Sequence, residues 1–68
     1  MKYYLKKGMA KKIKQTYKNK YFVETVGIST SFVSLILNRR KGCDKTYAYS
    51  ITKAINSEAE ISDFFEVA

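Results

Sequence analysis

The chain has 68 residues, 46% of them apolar, with no proline, no histidine, one cysteine and a formal charge of +7 from thirteen lysines and arginines against six acids. It is too apolar for a disordered tail and long enough for a single modest core, which makes residues 1–68 one domain. A lone thiol without histidine supplies no internal disulfide, no zinc site and not the commonest general base, so no catalytic residue, metal or cofactor is expected and an acidic binding partner is.

Met1-Lys2-Tyr3-Tyr4-Leu5-Lys6-Lys7 opens like the charged head of a signal peptide, but Lys6 and Lys7 fall where an apolar stretch would have to run. Leu5, Met9 and Ile13 recur every four residues with lysines between them, which predicts a helix with a narrow apolar stripe. Gly8 weakens its first turn, so residues 1–7 read as a loose basic arm. Asn19 reads as the N-cap of a second helix carrying Phe22, Val23 and Val26, and Gly27 stops it. Ser29 or Thr30 caps a third helix, in which Val33, Ile36 and Leu37 fall at i, i+3 and i+4. Asn38 ends that helix, and residues 38–42 form a polar, cationic loop. Asp44 caps a fourth helix with Tyr47, Ile51, Ala54 and Ile55 on one face. Ser57-Glu58-Ala59-Glu60 fits a capping box ahead of a fifth, with Ile61, Phe64 and Phe65. No strand pattern, repeat or linker interrupts the series, and the expected fold is all-α: five short helices around one core. The longest nearly apolar run, residues 32–37, is far shorter than the roughly 20 residues that cross a bilayer, so no membrane partner is expected.

Charge is distributed unevenly. Residues 1–20 hold eight lysines and no acid, residues 57–68 hold Glu58, Glu60, Asp63 and Glu66 and no base, and Arg39-Arg40-Lys41 stand together between them. That asymmetry turns one face toward a polyanion. Scattered lysines can simply solvate a helix. A triplet directly after one is less easily explained that way, because cations at a helix C-terminus gain only about 0.3–1 kcal/mol each.

The informative segment surrounds Gly27. Phe22 and Val26 precede it by five and one residues, while Ile28, Val33 and Ile36 follow by one, six and nine. This spacing places the five apolar side chains inside a steep bend between two helices, with the glycine free to take a positive φ at the corner. The same register turns Thr30, Ser31, Ser34 and Leu35 outward. On a helix lying in a DNA groove, Thr30 and Ser31 can donate to or accept from base edges, and Ser34 follows about one turn later. Leu35 either packs on a thymine methyl or belongs to the core. Arg39, Arg40 and Lys41 stand where cations reach a flanking phosphate strand, with Asn38 as a further phosphate contact. Among the aromatics, Phe22, Phe64, Phe65 and Tyr47 are expected in the core, and Tyr3, Tyr4, Tyr21 and Tyr49 partly exposed. Cys43 reads as an ordinary loop thiol, although Lys41 and Lys45 beside it would lower its pKa.

The stretch Phe22-Val-Glu-Thr-Val-Gly-Ile-Ser-Thr-Ser-Phe-Val-Ser-Leu-Ile-Leu-Asn38 resembles the Cro/repressor-type (XRE-like) helix-turn-helix family of phages and bacteria. Tyr47–Ile55 and Ile61-Ser-Asp-Phe-Phe65 look like that family's last two helices, so the resemblance covers roughly residues 8–66. It implies a compact five-helix lambda-repressor-like domain, a third helix in the major groove and homodimeric binding to a double-stranded DNA operator. It also implies transcriptional regulation in the cytoplasm of a bacterial host cell. The chain departs from the family pattern in three places. Val23 stands where a small residue is usual, Asn19 replaces the glutamine that often helps hold a phosphate, and Leu35 replaces an arginine or glutamine. The alternative reading is an antirepressor or repressor-partner protein acting through protein contact, with Phe32, Leu35 and Leu37 as its docking face. An enzyme is a distant third, since no nucleophile–base pair can be assembled.

Overall fold

Two three-residue strands join the ends of the chain. In the computed structural model, which describes residues 1–68, β1 (Tyr3–Leu5) runs antiparallel to β2 (Phe65–Val67), with Tyr3 opposite Val67, Tyr4 opposite Glu66 and Leu5 opposite Phe65. Between them lie α1 (Met9–Thr16), α2 (Asn19–Val26), α3 (Thr30–Leu37), α4 (Lys45–Ile55) and α5 (Ile61–Phe64). The protein is therefore mostly helical with a small two-stranded sheet, and the expectation of helices alone is corrected. Residues 1–7 are likewise no loose arm: Leu5 is fully buried, and Tyr3 exchanges both backbone hydrogen bonds with Cys43 at 2.9 Å. Three residues are too few for strand alternation to register, and the pairing partner stands at the opposite end of the chain.

The loop before α4 passes close to β1. A Cβ on Gly42 would lie 2.7 Å from the Cβ of Lys2 and 2.9 Å from the Tyr4 ring, so only a residue without a side chain fits there.

Local capping differs from the sequence reading in detail. Lys18, not Asn19, is the N-cap of α2, and it forms no side-chain cap; Asn19 is the first helical residue. Ser29 caps α3, its hydroxyl oxygen accepting from the Phe32 N–H at 3.1 Å. Asp44 occupies the N-cap of α4, but its carboxylate pairs with Lys2 at 3.2 Å instead of the helix amides. At α5 the capping box is built by Glu60 and Asp63, each carboxylate accepting from the other residue's backbone N–H. The box thus stands three residues beyond the expected one, which ran from Ser57 to Glu60.

The core gathers Ile13, Phe22, Ile28, Val33, Ile36, Leu37, Ala48 and Ile51 from the helical part with Leu5, Cys43 and Phe65. Tyr17 and Tyr21 pack their rings edge-on against Phe22, with centroids 5.9 and 5.3 Å away. Their hydroxyls donate to the carbonyls of Ile55 and Ala54, satisfying acceptors that the last turn of α4 leaves open. Tyr21, expected to be partly exposed, is half-buried. Tyr47, expected in the core, is exposed; α4 is rotated so that Ala48, Ile51 and Thr52 face inward, and Tyr47 rests edge-on against Phe32 at 5.5 Å. No single helix is long and apolar enough to cross a membrane.

Thr52 is completely buried, and its hydroxyl has no hydrogen-bond partner. A hydroxyl stripped of water without compensation costs about 1–3 kcal/mol. Thr52→Val keeps the shape and removes that cost, so it is expected to raise stability by about 1 kcal/mol, read as a higher urea midpoint. A lower midpoint would mean that the hydroxyl is satisfied after all.

Candidate nucleic-acid interface

The site is set by the corner between α2 and α3. Their axes meet at 115° across the three-residue turn Gly27-Ile28-Ser29. Gly27 adopts φ 80° and ψ 33°, and its N–H donates to the Val23 carbonyl at 3.1 Å. A side chain is disfavoured in this left-handed conformation, which accounts for glycine at the corner. Ile28 plugs the inside of the bend with Phe22, Val33 and Ile36, all buried; Val26 is only half-buried. With those positions inward, Thr30, Ser31 and Leu35 stand exposed along α3, and Ser34 is half-exposed. Leu35 is 37% exposed, so it lies on the surface and not in the core. Leu37 is 1% exposed and cannot serve in an apolar docking face with Phe32 and Leu35.

The end of α3 separates the three consecutive cations. Asn38 is the C-cap; the Arg39 N–H donates to Ile36 at 3.1 Å and the Arg40 N–H to Leu35 at 2.9 Å, the paired closing bonds of a Schellman turn. That turn holds Arg39 at φ 58°, a left-handed conformation that costs a side-chain-bearing residue about 1–2 kcal/mol. Its guanidinium donates to the Leu5 carbonyl at 2.9 Å and pairs with Glu66, tying the turn to both strands. Arg39, expected on a phosphate strand, is thus directed at the sheet. Arg40 and Lys41 remain exposed with no acidic partner, Lys41 lying 5.4 Å from the centre of the Phe32 ring. Asn19 sits half-buried in the first turn of α2, apart from the Asn38–Lys41 segment in sequence and in element.

One residue of the site is invisible to spacing. Lys14 of α1 donates from Nζ to Asn38 Oδ1 at 2.6 Å, and Asn38 Nδ2 donates to Ser34 Oγ at 3.4 Å. A cation from the first helix is therefore anchored at the C-terminal end of α3. Only Lys2, Lys20 and Arg39 among the thirteen cations form ion pairs within the chain. The exposed edge of α3 accordingly runs from hydroxyls at Thr30 and Ser31, through Ser34 and Asn38, to uncompensated positive charge at Lys14, Arg40 and Lys41.

Cys43 lies outside this edge. Burial, reinforced by the negative charge of Asp44 and only partly offset by Lys2, pushes its thiol up to about 11, so the expected ordinary loop thiol is a buried one and the lysines beside it do not lower it. Well below pH 9 the thiol is almost wholly protonated in folded and unfolded chains alike. Stability tied to it is complete there and declines as the pH rises from 9 through 11, where the unfolded chain ionises first. At pH 8 the folded protein is expected to react with iodoacetamide at least a hundredfold more slowly than the urea-unfolded chain, because the thiolate is scarce and covered. Equal rates, followed by mass spectrometry, would contradict that burial.

A separate groove of about 260 Å³ is lined by Met9, Lys12, Ile13, Thr16, Tyr17, Ile55 and Phe64, with no contribution from α2 or α3. No three acidic, thiol or imidazole groups are gathered where they could hold a metal ion. Comparison with family models, with curated proteins and with solved structures gives no match to this chain.

Proposed function

We propose that this chain is a lambda-repressor-like helix-turn-helix domain acting as a small Cro-like regulator of transcription, laying α3 in the major groove of a double-stranded DNA operator in a bacterial cytoplasm. The observation that carries the reading is the hydroxyl-lined edge of α3, held outward by the corner at Gly27 and bordered by Lys14, Arg40 and Lys41. A major groove about 12 Å wide admits one helix, and its base edges offer the donors and acceptors that hydroxyls match. The flanking cations supply sequence-independent attraction to the phosphates. Because an eight-residue helix reaches few bases, tight binding calls for a homodimer on two half-sites about one DNA turn apart.

The rival reading, a partner protein of a repressor, needs an apolar docking face. Burial of Leu37 reduces that face to Leu35 and a half-buried Phe32. Selection from random duplexes by the purified protein separates the two. A short dyad symmetric about its centre is the expected result; recovery of no preferred duplex at low salt would refute direct DNA reading.

A further inference from the structure

We infer that Tyr47 and Lys41, both seated on the ring of Phe32, form a binding site for DNA backbone phosphate beside α3, with Tyr47 as a phosphate-contacting residue and Phe32 as the positioning residue that holds the pair. The inference rests on the DNA-binding reading above and adds to it a contact from α4, outside the helix-turn-helix.

Phe32 is half-buried on α3. The Lys41 ammonium stands over its ring, 5.4 Å from the centre, and the Tyr47 ring meets it edge-on at 5.5 Å. One side chain of α3 thus gathers a cation from the loop that follows it and a phenol from the next helix. Neither donor is used inside the fold. The other lysine held over a ring, Lys53 against Tyr49 at 5.4 Å, spends its ammonium on the carbonyls of Ser57 and Ala59 at 3.3 and 2.6 Å. Lys41 has no such partner and is exposed. Tyr17 and Tyr21 likewise spend their hydroxyls on α4 carbonyls, whereas Tyr47 is 38% exposed and its hydroxyl bonds nothing in the chain.

The surroundings hold no competing anion. From Thr30 to Ile55 the one acid is Asp44, and its carboxylate pairs with Lys2 at 3.2 Å. An ammonium and a phenolic O–H held on one ring, with no free carboxylate near them, match an anionic oxygen acceptor. Beside a groove that receives α3, that acceptor is the phosphate strand, which tyrosine and lysine both contact. Phe32 contributes order: the cation–π contact restricts Lys41 before binding, so less side-chain freedom is lost when the phosphate arrives.

Fluorescence anisotropy on the selected duplex and on one of unrelated sequence tests this. Tyr47→Phe keeps the ring on Phe32 and deletes one hydroxyl. It is expected to weaken both complexes alike by roughly three- to tenfold, the net worth of one hydrogen bond, with the salt slope and the selected motif unchanged. Tyr49→Phe, two residues along and so on another side of α4, should leave affinity at the parental value. Phe32→Leu, with its folding checked by circular dichroism, should weaken binding yet keep the slope, because the charge of Lys41 remains. Lys41→Ala should lower the slope in magnitude by about 0.9. Replacing backbone phosphates one at a time by uncharged methylphosphonate locates the contact: at one position the loss should be smaller in Tyr47→Phe than in the parent by that same three- to tenfold. Parental affinity in Tyr47→Phe or in Phe32→Leu, or an equal loss in Tyr49→Phe, would overturn the inference while leaving DNA binding in place. If the parent binds no duplex at low salt, the DNA-binding reading fails and this inference with it.

Discussion

Phe22→Ala is expected to cost about 3–5 kcal/mol of unfolding free energy, the usual loss for a buried phenylalanine cut back to alanine. A 68-residue domain has only about 3–10 kcal/mol to lose, so the variant should be substantially unfolded at 37 °C. The ring is 1% exposed and stands behind the α2–α3 corner, where Tyr17 and Tyr21 pack against it. Those tyrosines bind the end of α4 through their hydroxyls. Deleting the ring therefore removes apolar burial and also loosens the joint between the first two helices and the fourth. Urea denaturation followed at 222 nm measures the loss. Leu35→Ala provides the contrast: at 37% exposure its side chain gives up little on truncation, and a change below about 1 kcal/mol is expected. Equal losses for the two variants would place Leu35 in the core and take it off the proposed DNA edge.

Replacing Lys14, Arg40 and Lys41 together by alanine is expected to flatten the salt dependence of duplex binding. Each phosphate contact contributes about 0.9 to the slope of log affinity against log salt, so losing three lowers its magnitude by about 2.7. Between 50 and 200 mM salt the triple variant would then lose about fortyfold less affinity than the parent, which fluorescence anisotropy on the selected duplex resolves. Arg39→Ala should behave in the opposite way. It lowers stability, because the guanidinium bonds Leu5 and Glu66, and it leaves the salt slope unchanged. An unaltered slope in the triple variant would show that these cations do not touch phosphate.

The contrast between Arg39 and Lys14 shows where a linear reading reaches its limit. Side by side in sequence, Arg39, Arg40 and Lys41 are equivalent cations; the left-handed turn at Arg39 sends it to the strands and leaves the next two at the surface. Lys14, one of eight scattered lysines near the start, gains its place only through a hydrogen bond to Asn38, 24 residues further along the chain. Tyr47 and Ala48 make the same point inside the core. Periodicity within α4 fits either register, and an aromatic is the stronger candidate for burial by hydrophobicity. Ala48 is the residue that is fully buried, and the tyrosine is left to cover Phe32.

What the amino-acid order determined alone was the pair of helices around Gly27, the start of α3 at Ser29 or Thr30, the buried set Phe22, Ile28, Val33 and Ile36, and the outward hydroxyls of α3. Each of these is decided within a few residues, by the 3.6-residue repeat and by the φ that only glycine takes readily. The tertiary structure alone decided the closure of β1 on β2, the capture of Arg39 by Glu66 and the run from Lys14 through Asn38 to Ser34. Those contacts join residues far apart in the chain, and polar side chains carry no periodic signal that would announce their partners before the helices are packed.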